Sequence, residues 1–182
     1  MTDCTAFSGN RRVAAGSKLQ VALELKRLGL TENILIFEDA TGRQIDFDLS
    51  GDESDIARRL IGSGTEEAAR GRGRPRLGVV SREVTLLPRH WEWLGRQRGG
   101  ASAALRRLID EARTADMPNE RADAARARAD RFMLAVLGDQ PGYEEASRAL
   151  YAGDRQRFEE MSADWPADLR DHARILAEAA FA

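Results

Sequence analysis

Residues 62–78, GSGTEEAARGRGRPRLG, hold five glycines and one proline without any apolar periodicity. Such a stretch buries nothing, so every core of this chain must be assembled from the residues before it and after it. It reads as a flexible basic linker. On its amino-terminal side apolar residues alternate with polar ones, and on its carboxy-terminal side, beyond one short strand pattern, they follow helical spacing. The expected fold class is therefore α+β, with a small ββαββα unit over residues 1–61, a strand-helix-helix segment over 79–114 and a helical bundle over 115–182.

The first unit is read from its punctuation. CTAFSG and RRVAA alternate like paired strands around Gly9-Asn10, and Ser17 is placed to cap KLQVALELKRLGL, where Leu19, Val21, Leu23 and Leu28 suit a helix ending at Gly29. ILIFEDATGRQIDFDL is a hairpin signal: Ile34 to Phe37 form an apolar strand, Ala40-Thr41-Gly42 the turn, and Ile45, Phe47 and Leu49 alternate with Gln44, Asp46 and Asp48. That alternation places one face in a core and the other in water. Asp46 and Asp48 share the wet face and are read as solvated rather than as cation ligands. A short helix, DESDIARRLIG, closes the unit.

Past the linker, SREVTLLP reads as a strand, PRHWEWLGRQ as a helix opened by Pro88, Gly99-Gly100 as a turn, and ASAALRRLIDEAR as a second helix capped by Ser102. Leu105, Leu108, Ile109 and Ala112 follow the spacing i, i+3, i+4, i+7, and so short a segment cannot cover that stripe by itself. Dimerisation is the expected answer. Trp91 and Trp93 read as core and edge residues of the first helix, with His90 exposed between them. Four helices follow: NERADAARARADRFMLAVLG, with Phe132, Leu134, Val136 and Leu137 burying its end; YEEASRALYAG after Pro141-Gly142; DRQRFEEMSADW after Gly153; and ADLRDHARILAEAAF, with Pro166 at its first position.

The formal net charge of −2 conceals a division. Residues 70–114 carry eleven basic against four acidic side chains, between flanks that are both acidic. Concentrated positive charge of this kind marks a nucleic-acid surface, and Arg70, Arg72, Arg74 and Arg76 are its first candidates. Other classes find little footing. With one cysteine and two histidines the chain offers neither an intrachain disulfide nor a zinc cage, so no metal or cofactor is expected. No apolar run of membrane-spanning length occurs, and MTDCTAFSGNRR lacks the regions of a secretory signal, which points to the cytoplasm. Phosphate-loop, GxSxG, HExxH and dinucleotide motifs are missing, so the chain is not read as an enzyme.

Residues 79–113 resemble the ribbon-helix-helix DNA-binding proteins in element order, and Gly100-Ala101-Ser102 followed by AALRRLI is similar to that family's glycine-x-serine lead into its second helix. The resemblance implies a homodimer whose paired strands enter the major groove. It further implies that Arg82 and Thr85 face DNA, and that the amides of Ala101 and Ser102, with Arg106 and Arg107 nearby, hold the phosphate backbone. Arg72-Gly73-Arg74-Pro75 resembles the core of the AT-hook, an extended peptide of the A·T-rich minor groove. Over most of its length the chain looks like a bacterial family catalogued as domain of unknown function 2239, on LIFEDATGRQIDFDL, GRGRPRLGVVSREVTLLPRHWEWL, GGASAALRRLIDEAR and YEEASRALYAGD. The function expected from the residues is DNA binding by a homodimer, as a transcriptional regulator or a nucleoid-associated protein. The alternatives are an antitoxin-like adaptor that takes a protein partner through its acidic carboxy-terminal helices, and a small-molecule or enzymatic role for the first unit.

Overall fold

The computed structural model describes residues 3–30, 32–62 and 82–182. Its elements run β1 (Cys4–Ser8), β2 (Arg11–Gly16), α1 (Lys18–Arg27), β3 (Ile34–Glu38), β4 (Arg43–Ile45), α2 (Glu53–Gly62), α3 (Pro88–Gly95), α4 (Gly100–Leu137), α5 (Tyr143–Ala152), α6 (Arg155–Met161) and α7 (Ala167–Ala177), then a short 3-10 turn. The chain is mixed α+β, and its first six elements follow the ββαββα order. The chain divides into two compact units, Met1–Glu66 with Asn119–Ala182, and Glu67–Pro118.

In the larger unit the four strands form one antiparallel sheet in the order β2-β1-β3-β4. Ser17 caps α1 through a reciprocal box: its hydroxyl accepts from the Gln20 amide and the Gln20 side chain accepts from its own. Gly29 then ends the helix in the left-handed region. Alternation along the two central strands loads both faces of the sheet. Cys4, Ala6 and Ile36 point to one side and pack with Val21 and Leu25 of α1. Phe7 and Phe37 point to the other, where they join Ala129, Phe132 and Met133 of α4 and Leu169, Ala173 and Leu176 of α7. The alternation in the hairpin anticipates one buried face; the second is buried because the carboxy-terminal helices lie on it, so segments read as separate modules here share a core. Burying each large side chain of this cluster is worth about 1.5–3 kcal/mol.

Several local expectations change in the folded chain. α4 is continuous through Pro118, although proline removes one helix hydrogen bond, and so joins two helices read separately. It starts at Gly100, so Ser102 lies inside its first turn and is not the cap; Gly99 and Gly100 take the left-handed backbone that makes the earlier start accessible. Leu134 is 65 % exposed, one helical position off the buried stripe of Phe132, Met133 and Leu137. Pro166 stands at the cap of α7, immediately before its first turn.

In the smaller unit α3 opens on Pro88 as its first-turn proline. Residues 82–87, read as strand, carry no regular structure: a strand exists only through a neighbour's hydrogen bonds, and the described sheet pairs β1 to β4 alone. Leu94 and Ala104 are the only apolar residues fully buried among residues 82–118. Trp91 and Trp93 are 44 % and 48 % exposed, not core and edge as their place in a helix suggests.

The β3-β4 turn docks directly on α4. Gly42 has φ +67° and a Cβ there would run into the Arg128 carbonyl, while the Arg131 guanidinium donates to the Thr41 carbonyl at 2.6 Å. Gly9, also left-handed at φ +55°, has open space around it. Gly42→Ala is therefore expected to destabilise the protein by about 1–3 kcal/mol more than Gly9→Ala, since overpacking adds to the backbone strain both share. Urea unfolding of the two variants checks this; equal losses would mean that the hairpin is not seated on α4.

Candidate functional site

Of the residues expected to touch DNA, Arg70, Arg72, Arg74 and Arg76 lie outside the described residues. Arg82 and Thr85 are exposed on the irregular segment before α3. Ser102 is exposed, Ala101 half-buried, and both belong to the first turn of α4, whose amides have no partner within the helix. Arg106 and Arg107 are exposed about one turn further on. Arg107 meets Glu111 at 3.7 Å, so part of its charge is neutralised locally.

The wider arginine population separates into two kinds. In residues 119–182, Arg126, Arg148, Arg155, Arg157 and Arg170 pair with carboxylates, while Arg128, Arg131 and Arg174 donate to backbone carbonyls. Arg82, Arg89, Arg96, Arg98, Arg106 and Arg113 are exposed and form no ion pair with any described residue, which is also true of the scattered Arg11, Arg12, Arg43 and Arg121. Beside them lie uncovered apolar side chains: Val84, Leu87, Trp91, Trp93, Leu108, Ile109 at 54 % exposure, and Met117. Uncompensated guanidiniums next to unburied apolar surface are equipped to meet an anionic polymer and a second apolar face.

A second place emerges only from the fold. α7 buries Leu169, His172, Ala173, Leu176 and Ala177, spaced i, i+3, i+4, i+7, i+8, and this stripe carries His172 into the aromatic cluster. Phe7 and Phe132 meet its ring edge-on at centroid distances of 5.3 and 4.8 Å. Its Nε2 faces Asp39 Oδ1 at 3.5 Å, and neither atom makes a hydrogen bond. Asp39 Oδ2 accepts from Thr5 Oγ1 at 3.2 Å, and the Asp39 amide donates to the Asp3 carbonyl at 3.1 Å. Next to this pair opens a cleft of about 510 Å³ rimmed by Arg12, Lys18, Glu38 and Arg128. The helical spacing around His172 was present in the sequence as the signal; nothing there indicated that Asp39 would face it. Cys4 is a buried thiol, pushed up to about 11 by that burial and then by Asp39, and so is not a nucleophile at neutral pH. Among the described residues no group of three or more potential ligands is placed to hold a metal, and no helix is long and apolar enough to cross a membrane.

Burial holds the His172 pKa below its ordinary 6.5; Asp39 opposes this and Arg12 adds to it. Below about 6.5 the unfolded chain binds a proton that the folded one refuses, so this contribution is complete at higher pH and declines as pH falls through that value. Unfolding midpoints are expected to drop between pH 7 and 5, and His172→Phe to flatten that slope. An unchanged slope in the variant would remove His172 as the cause.

Residues 3–177 match the bacterial family described as an uncharacterized protein conserved in bacteria, domain of unknown function 2239. No curated protein and no solved structure matches the chain.

Proposed function

Since the chain belongs to this family of uncharacterised bacterial proteins, whose description carries no activity, function has to be argued from its residues, and we propose that it binds DNA as a homodimer, as a transcriptional regulator or a nucleoid-associated protein. The observation that carries the reading is the set of exposed arginines of residues 82–113 that no carboxylate of the described chain neutralises. In a protein of net charge −2, leaving these side chains unpaired while most of the carboxy-terminal arginines are engaged suits a polyanionic partner.

In this reading the arginines displace counterions from the phosphate backbone, which supplies affinity without sequence preference. The amides of Ala101 and Ser102 add donors at the start of α4, with Arg106 and Arg107 beside them. The linker arginines Arg70, Arg72, Arg74 and Arg76 extend the positive surface, with Arg72 and Arg74 entering an A·T-rich minor groove. The uncovered row Leu108, Ile109 and Met117 on α4 suits pairing with a second copy, which doubles the charged surface presented to one duplex.

Purified protein is expected to bind labelled duplex with an affinity that falls steeply with salt, and joint replacement of Arg89, Arg98 and Arg106 by alanine to lower that slope by about one for each phosphate no longer neutralised. Binding that ignores both salt and these substitutions would refute the reading. Ile109→Glu is expected to convert a dimer to a monomer in sedimentation analysis while leaving the circular dichroism spectrum intact; a wild-type monomer at micromolar concentration would remove the homodimer.

A further inference from the structure

We propose that the cleft beside Asp39 and His172 binds a small zwitterion of amino-acid size, one carboxylate and one ammonium group on a partly apolar frame. The site lies wholly within the larger unit and does not depend on the DNA reading.

The ligand class follows from the lining. Three cationic side chains, Arg12, Lys18 and Arg128, meet three anionic ones, Asp3, Glu38 and Asp39. Lys18 and Glu38 satisfy one another at 3.0 Å. Arg12 and Arg128 form no ion pair with a described residue, and Arg128 engages only its Nε, on the Leu176 carbonyl at 2.7 Å. Asp3 and Asp39 also line the cleft and are held together by the backbone bond between them. Two positive and two negative groups thus remain around one opening. A simple anion would meet the two aspartates and a simple amine the two arginines, whereas a zwitterion answers both pairs.

Ala15, Ala40, Ile175 and Leu176 add apolar wall, and about 510 Å³ is ample room for an amino acid. His172 supplies an independent indication of a ligand. Its side chain is 4 % exposed, lines the cleft and has no hydrogen-bond partner, although buried polar groups are nearly always paired. Its Nε2 is closed off and turned toward Asp39 Oδ1 at 3.5 Å, so a charged ligand in the cleft acts on this unsatisfied pair through its field and not by bonding Nε2.

Titration calorimetry of the full chain with each of the common L-amino acids, without DNA, tests the proposal. At least one is expected to bind saturably in a 1:1 ratio. Its desamino acid and its decarboxylated amine, each carrying a single charge, should bind at least tenfold more weakly. Arg12→Ala, which keeps the backbone donor to Asp168 and changes only an exposed side chain, should weaken binding at least tenfold, and Asp39→Asn likewise. Absence of saturable heat with every amino acid would overturn the proposal. So would equal affinity for a singly charged analogue, or full binding by a natively folded Arg12→Ala variant. Because DNA is left out, failure here leaves the DNA experiments standing, and their failure leaves this site standing.

Discussion

The cluster in which Phe7 and Phe37 of the sheet meet Phe132 of α4 and His172 of α7 is the contact on which the larger unit depends. The three phenylalanine rings pack within 4.9 to 6.3 Å of one another, mostly edge-on, and all are fully buried. Because successive residues of a strand face opposite ways, placing Cys4, Ala6 and Ile36 against α1 obliges Phe7 and Phe37 to emerge on the other side. A sheet of four short strands cannot leave two phenylalanines in water, so helices from the far end of the chain must cover them. The amino-terminal and carboxy-terminal segments are for this reason halves of one fold. The docking of Gly42 on Arg128 and the donation from Arg131 to Thr41 set how closely they meet.

The same sheet that demands the helices also creates the cleft. The apolar stripe of α7 includes one polar member, His172, and the end of β3 brings Asp39 opposite to it. Around them the edge strand β2 contributes Arg12, whose amide donates to Asp168 in the first turn of α7 at 2.8 Å. Charge here is balanced in number, three cationic side chains against three anionic ones, in contrast to residues 82–113, where arginines outnumber nearby carboxylates and stay exposed. One chain therefore carries two electrostatic environments, a cleft of nearly balanced charge in its larger unit and a positive surface on its smaller unit.

Local signals were legible wherever the deciding chemistry was local. Gly9-Asn10, the Ser17 box and the 40–42 turn each depend on neighbours within a few residues, so the ββαββα order could be read, although β4 ends at Ile45, short of the alternation that runs on through Phe47 and Leu49. The cap read at Ser102 and the separation of two helices between residues 113 and 119 misled for a related reason: a serine is strong punctuation in isolation, but two consecutive glycines started the helix earlier, and the hydrogen bond that Pro118 removes did not outweigh a continuous helix of 38 residues. The tryptophans of α3 were misplaced because apolarity alone says that a side chain prefers burial, not that a partner is there to bury it.

By itself, the sequence determined the element types, the alternation of the strands, the basic middle between acidic flanks and the unfilled stripe on α4, since each follows from periodicity or charge along a single stretch of chain. Only the tertiary structure decided that the sheet has two buried faces, that Asp39 meets His172 across 133 positions, and which arginines remain without a carboxylate. Those outcomes are set by distances through space between residues far apart in the chain, and no local pattern encodes which distant side chain will arrive opposite another.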